Sequence, residues 1–356
     1  MSGYEQRLAA DKAEIRNRVV AVGVRVGEAV AGAVRALAGR DRSACYRIVL
    51  GDLPINREIR AIDALCHAFV ARHIPSAGHL RFVSSVLQMN VALERIGDYA
   101  VTIAREAVQL RQSPPEQLGK DIAELAAQSC EVLRDALLAF SERDAELARK
   151  TRPRAKAIEK TYGQVYSDLV NKAATLGLAD AFALLAIFNR LERVSDQAKN
   201  ISEETLFELT GEQKPATQYR VLFVDEDGTH LAPLAAALAE KAFPESGHYF
   251  AAGLTKGRPD PGLSIFAERL GLDILSVNTR AWPSDPLELD GVHVVVAMTP
   301  AVASKIERLP YSTSLIEWTF ASPQAPLDMA GATELSRKLA NEVRELMVLM
   351  RGPDAP

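Results

Sequence analysis

Leu93-Glu94-Arg95-Ile96-Gly97-Asp98 returns later in the chain as Leu191-Glu192-Arg193-Val194-Ser195-Asp196, and this doubled phrase decides how the first part of the sequence folds. In each copy a Glu and an Asp stand four residues apart within an otherwise apolar stretch. On an α-helix such positions lie one turn apart on one face, so each copy presents two carboxylates side by side. The spacing between copies is constant: Glu94, Asp98, Ile103 and Glu106 reappear 98 positions on as Glu192, Asp196, Ile201 and Glu204. A helical unit has been duplicated.

Working outward, helical periodicity runs from Tyr4 to about Arg40 along Val19, Val20, Val22, Val26, Val30, Val34 and Leu37. A short helix is expected at 42–50. A new one starts at Gly51-Asp52-Leu53-Pro54, where an acid and an early Pro suit a helix N-terminus, and stops at His73-Ile74-Pro75-Ser76. A long helix from Ala77 to Arg111 carries the first phrase. After Ser113-Pro114-Pro115 the plan repeats with helices at 118–140, at 142–176 with a break near Pro153, and at 180–209, the last carrying the second phrase. The expected fold is all-α, two tandem three-helix bundles at 1–112 and 116–212.

Beside the acids run apolar stripes: Val86, Met89, Leu93, Ile96, Ala100 and Ile103 in one copy, Leu184, Ile187, Leu191, Val194, Ala198 and Ile201 in the other. Carboxylates next to a packed side need positive compensation. Two sources compete. One is ion pairing with Arg95, Arg193 or an arginine of another helix. The other is a metal ion, for which an all-oxygen donor set suits Mg²⁺, Mn²⁺ or iron.

The stretch Ile48–Glu106, above all Gly51-Asp52-Leu53-Pro54-Ile55-Asn56, His79-Leu80-Arg81-Phe82 and Leu93–Ala100, resembles the PhoU family, as does Leu191–Ile201. The resemblance covers about residues 5–212. It implies two pseudo-symmetric three-helix bundles with metal on the acidic faces. It further implies negative regulation of phosphate uptake and of the phosphate-starvation response, with the ATPase of the phosphate ABC transporter and the phosphate-sensing histidine kinase as partners. The metal ligands so implied are Glu94, Asp98, Glu192 and Asp196. Asp52 and Asn56 precede the first motif helix and could assist, whereas Lys150 and Arg154 stand at the equivalent places in repeat two. Basic residues repel a cation unless they neutralise Glu192 and Asp196 directly, so repeat one is the better metal site.

Composition sets further bounds. The 356 residues are 48% hydrophobic and 25% charged with net charge −4, an ordinary globular balance without the basic footprint of a nucleic-acid binder. No stretch approaches the ~20 apolar residues of a membrane span. The N-terminus lacks a signal-peptide plan, so a cytoplasmic location is expected. Cys45, Cys66 and Cys130 have no metal or redox spacing and read as buried apolar residues. His67, His73 and His79, six apart, read as a cap and loop set. A homodimer formed through apolar helix faces is the expected assembly.

After Gly211–Thr217 the chain changes character. Val221–Val224 and Val292–Met298 are short apolar runs of buried-strand type, and Leu315-Ile316 is a possible third. Helices are expected from Pro233 to Ala242 and from Gly331 to Arg351. This alternation predicts an α/β domain with a small parallel sheet over 218–356. Its functional loop belongs after the first strand, at Asp225-Glu226-Asp227-Gly228-Thr229-His230-Leu231.

Three readings compete there. Val221–Ala235, Phe250–Gly253, Ala267–Asp273 and Asp290–Thr299 resemble the low-molecular-weight tyrosine phosphatase and arsenate reductase family, which implies Cys-x5-Arg in this loop and a general-acid Asp before a Pro. Here those positions hold Asp225, Leu231 and Ser322, and residues 216–356 contain no Cys, so the domain reads as a degenerate phosphatase without thiol chemistry. Asp225-x-Asp227-Gly228-Thr229 also matches the opening motif of haloacid-dehalogenase-type phosphatases, which implies an aspartate nucleophile and Mg²⁺, with Thr299 as a second motif but no later acidic one. A receiver domain lacks its phosphoacceptor Asp and its Lys. The expectation is therefore a non-enzymatic regulator.

Overall fold

The computed structural model describes residues 3–155, 157–158, 169, 176–212, 218–255, 257, 261–274, 277, 279–289, 291–310, 312–321 and 329–352. They fall into two compact units, Met1–Lys214 and Pro215–Pro356.

The first unit contains helices α1 (Gly3–Ala38), α2 (Arg42–His73), α3 (Ala77–Gln109), α4 (Glu116–Glu142), α5 (residues 145–155) and α6 (Leu178–Thr210). Both apolar stripes beside the acids are buried, Val86 to Ile103 on α3 and Leu184 to Ile201 on α6. Contacts between Ser85 and Glu204 and between Arg111 and Asp180 set these motif helices antiparallel. One hydrophobic cluster runs from Ile15 on α1 to Ile201 on α6. The segments 1–112 and 116–212 thus share a single core. Each three-helix set has a wide apolar face, and the duplicated faces bury each other.

Two expectations about helix ends are corrected. The helices expected at 42–50 and 54–73 are one continuous α2 with Pro54 inside it. An interior proline costs about 3 kcal/mol. Cys45 before it and Ile55, Ile59, Ile62 and Phe69 after it are anchored in the same core, while Leu53 and Pro54 face solvent, so packing overrides the breaker. Likewise α5 runs through Pro153 without a break as far as residue 155; the rest of the expected 142–176 helix lies largely outside the described residues.

The cysteines pack as apolar residues. Cys45 and Cys66 are buried and Cys130 half-buried, and burial, helped by the Asp63 charge, pushes the Cys66 thiol up to about 12. His73 is more than a cap. It is buried at the end of α2, with Nε2 2.8 Å from Asp11 Oδ2.

The second unit is a five-stranded, all-parallel sheet in the order β3-β2-β1-β4-β5, with β1 at Tyr219–Asp225, β2 at Gly247–Gly253, β3 at Thr279–Ala281, β4 at Val294–Ala297 and β5 at Ser314–Glu317. Side chains alternate in and out of the two faces. Val221, Phe223, Val294 and Val296 pack with α7 (Leu231–Ala242), α8 (Pro261–Arg269) and α10 (Met329–Arg351). Leu222, Val224, Val295 and Ala297 pack on the other face with Leu289 and with Val302 of the short α9 (Pro300–Ala303). This is the expected α/β domain, with helices on both faces of the sheet.

Candidate functional site

The acids of the two motif helices have different surroundings. Glu94 and Asp98 are exposed on α3, so the packed side makes no demand on their charge. The expected compensation by a neighbouring arginine is not needed there. Glu192 on α6 is buried at 7% exposure, and Asp196 is half-buried.

In repeat one, α2 brings Asp52 and Asn56 toward Asp98. Asn56 Nδ2 donates to Asp52 Oδ2 at 2.7 Å, as residues four apart on a helix can. Asp52 Oδ1 and Asn56 Oδ1 are buried without a hydrogen-bond partner among the described residues. Burial lifts the Asp52 carboxyl above its ordinary range, and the charge of Asp98 pushes it the same way. Gly97 eases the approach: a Cβ there would stand 3.2 Å from Asp52 Oδ1, so the carboxylate would have to shift slightly. Repeat two has Ser195 at that place, its hydroxyl donating to the Glu192 carbonyl at 2.7 Å. The Gly-for-Ser difference inside the doubled phrase is thus a point, visible in the sequence, at which the two copies diverge beside their acids.

In repeat two the acids are paired within their own helix. Arg193 lies 3.5 Å from Glu192 Oε2 and 3.1 Å from Asp196 Oδ2. The expectation that Lys150 or Arg154 might neutralise them is corrected for Arg154, which pairs instead with Glu131 and Asp135 on α4. Lys150 is exposed. Of the two sources of compensation, this copy uses ion pairing to Arg193.

The six predicted ligands are therefore not gathered at one point. Among the described residues no three carboxylate, thiol or imidazole groups converge as a metal centre would require. What repeat one has is Asn56 bonded to Asp52, with Asp98 near enough for its charge to act on Asp52 and Glu94 one turn away from Asp98 on α3. Two orphaned buried acceptors beside a carboxylate whose ionised form Asn56 and Arg105 only partly support are compatible with a hard cation. The guanidinium on Glu192 and Asp196 is not.

Sequence reasoning missed one further feature of this unit. Between α3 and α6 lies a cleft of about 540 Å³ lined by Ser84, Gln88, Arg95, Gln197, Asn200 and Glu204 among others. Burial raises the Glu204 carboxyl there above its usual range. Only the antiparallel crossing of the two motif helices creates it.

In the second unit Asp225 ends β1 and is buried at 2% exposure. Its Oδ1 accepts from the Gly228 N–H and its Oδ2 from the Ala232 N–H at 3.0 Å. Burial raises its carboxyl, while the backbone donors of Ala232, Gly228 and His230 oppose the shift. Asp227 Oδ1 takes the Thr229 N–H at 3.0 Å and hydroxyl at 2.6 Å. Glu226 Oε1 accepts from Thr299 Oγ1 at 2.7 Å. Leu231 is buried as the first residue of α7, and Ser322 lies outside the described residues. The loop presses on the end of β2, where a Cβ on Gly253 would overlap Asp227 and Gly228. As an aspartate nucleophile Asp225 would need an open approach to phosphorus, which burial and two occupied oxygens deny it.

The PhoU domain family model matches residues 19–107 and 122–205. The phosphate-specific transport system accessory protein PhoU homolog of Pseudomonas putida is 31% identical over 240 residues, covering 67% of this chain and 92% of that protein. Among solved structures, PhoU from Pseudomonas aeruginosa aligns at 29% identity and a TM-score of 0.55, covering 57% of this chain and 99% of that one. The phosphate transport system regulatory protein PhoU from Streptococcus pneumoniae aligns at 26% identity and a TM-score of 0.54, covering 59% and 99%.

Proposed function

Because the chain belongs to the PhoU family, we propose that it is an accessory regulator of phosphate transport and phosphate signalling that acts by binding and not by turnover. The observation that carries this reading is the 31% identity running through 92% of a phosphate-specific transport accessory protein. The relatives are accessory and regulatory proteins by name, and this chain, like them, is not an enzyme.

In this proposal the first unit modulates transport negatively by docking on the ATPase of the phosphate ABC transporter, and damps starvation signalling by docking on the phosphate-sensing histidine kinase. A cytoplasmic location follows from those partners, and no helix among the described residues is long and apolar enough to cross a membrane. A homodimer presents two such surfaces. A hard cation (Mg²⁺, Mn²⁺ or iron) would be held by Asp52, Asn56 and Asp98, with Glu94 at its edge. It would supply positive charge that ties α2 to α3 and changes the sign of an otherwise acidic surface. Glu192 and Asp196 serve this surface as a salt-bridged counterpart without metal. The second unit is a degenerate phosphatase-like module that contributes a binding surface, since its loop lacks both thiol and arginine.

The test is made in a host strain deleted for this chain, with a starvation-promoter reporter and phosphate uptake both measured in phosphate-rich medium. Expression of the full chain should lower both signals. If neither moves while the protein accumulates to normal levels, the regulatory proposal fails. Turnover of a generic phosphate ester that depends on Asp225 would instead revive the Mg²⁺-dependent aspartate phosphatase.

A further inference from the structure

The turn from β1 into α7 is built like an oxyanion site. Backbone N–H groups at the start of a helix point toward one place, and the helix dipole favours negative charge there. In this chain that place already holds a carboxylate. Asp225 is 2% exposed, and its two oxygens accept from Gly228 in the middle of the loop and from Ala232 in the first turn of α7. We propose that the loop 225–231 is an oxyanion cradle permanently filled by the chain's own Asp225 carboxylate, which holds the second unit in an anion-bound conformation that free phosphate cannot enter.

The remaining acids support this. Asp227 is turned back onto Thr229, and Glu226 onto Thr299. Each engages a group of the protein beside the cradle, so an incoming phosphate would meet two acidic side chains. A loop that recruits an anion needs a cation to pull it in. Leu231, apolar and 1% exposed, opens the helix instead. The inference does not depend on the regulatory role of the first unit. It does assign any direct response to phosphate to some place other than this loop.

The experiment is a chemical rescue in the full chain. Both tryptophans, Trp282 and Trp318, belong to the second unit, so intrinsic fluorescence follows its unfolding alone. Asp225→Ala should lower that transition by roughly 5–10 °C, the scale set by losing charge-assisted bonds at a buried site. Formate, a carboxylate small enough for the vacated space, should restore part of the loss while leaving wild type unchanged. Asp225→Asn keeps the volume filled, so it should also melt early but gain nothing from formate. A drop that formate cannot reverse, or no drop at all, overturns the proposal. A second measurement needs no variant: the amide resonances of Gly228 and Ala232 in wild type should stay fixed as inorganic phosphate is raised to tens of millimolar. Saturable shifts of those two amides would overturn it even if Asp225→Ala failed to fold.

Discussion

Repeat one and repeat two of the helical unit share a phrase but not an electrostatic solution. Glu94 and Asp98 stand in water on α3, with Asp52 and Asn56 delivered beside Asp98 by another helix. Glu192 is sunk into α6, and Arg193 on the same helix bridges it to Asp196. The residue between the acids marks the divergence: Gly97 leaves room for Asp52, and Ser195 turns its hydroxyl back on its own helix. Both copies keep the helical plan and the apolar stripes that bury it. At the rim the charges diverge: an acid from another helix approaches in one copy, and an arginine of the same helix pairs with the acids in the other.

The largest test of that contrast lies one turn earlier. Phe188 is wholly buried on α6, whereas the matching place on α3 holds Asn90, buried at 1% exposure and donating to Asp63 at 2.7 Å. Phe188→Ala should cost about 3–5 kcal/mol through lost burial and a cavity. Asn90→Ala should cost about 1–3 kcal/mol, mostly by stranding Asp63. Denaturant unfolding followed by helical circular dichroism compares them. Equal costs would mean the polar pair in repeat one carries as much as the ring.

Metal content is the next measure. Asp52→Ala with Asp98→Ala should reduce cation affinity by tenfold or more, a loss of about 1.4 kcal/mol, while Glu192→Ala with Asp196→Ala should leave it unchanged. Elemental analysis of purified protein after dialysis against each metal decides between them, and equal loss from both pairs would erase the asymmetry.

The arginines of the two phrases give a smaller difference. Arg193→Ala removes a guanidinium 3.5 Å from the buried Glu192 carboxylate and should cost about 1 kcal/mol. Arg95→Ala, on an exposed flank, should fall within about 0.5 kcal/mol of wild type.

Smallest is a pH effect confined to repeat one. The hydrogen bond to His73, followed by Arg72, holds the Asp11 carboxyl below its ordinary value of 3.8. A depressed native value gives stability that is present above the unfolded value and lost as pH falls through the native one. Asp11→Asn should therefore flatten the acid limb of the stability curve below about pH 4, by less than about 1 kcal/mol because the site is partly open to solvent. An unchanged acid limb would mean that this contact does not hold α1 to α2.

The second unit teaches the same lesson by another route. Its sheet was legible where strands were apolar and long enough, as in Val221–Val224 and Val294–Ala297. The strands β2 and β3 were not, because Gly247, Gly253 and the Ala pair between them carry no strand signal, and β3 has only three residues. They are strands because β1 and β2 offer their edges. The loss of Cys and Arg from the loop was plain in the sequence. That Asp225 faces inward onto Gly228 and Ala232 was not, since an acid after a strand reads equally well as a nucleophile, a ligand or a cap.

By itself the sequence determined the duplicated helical plan, the buried stripes on α3 and α6, the change to an α/β unit after residue 212 and the family. Each rests on periodicity and motif, which are local and repeat along the chain. Only the tertiary structure decided that Pro54 would be carried inside a helix, that the two repeats share one core, and which acids meet which partners. Those outcomes turn on which side chains the packing brings together, as when α2 carries Asp52 up to Asp98 or α4 takes Arg154 away from Glu192 and Asp196.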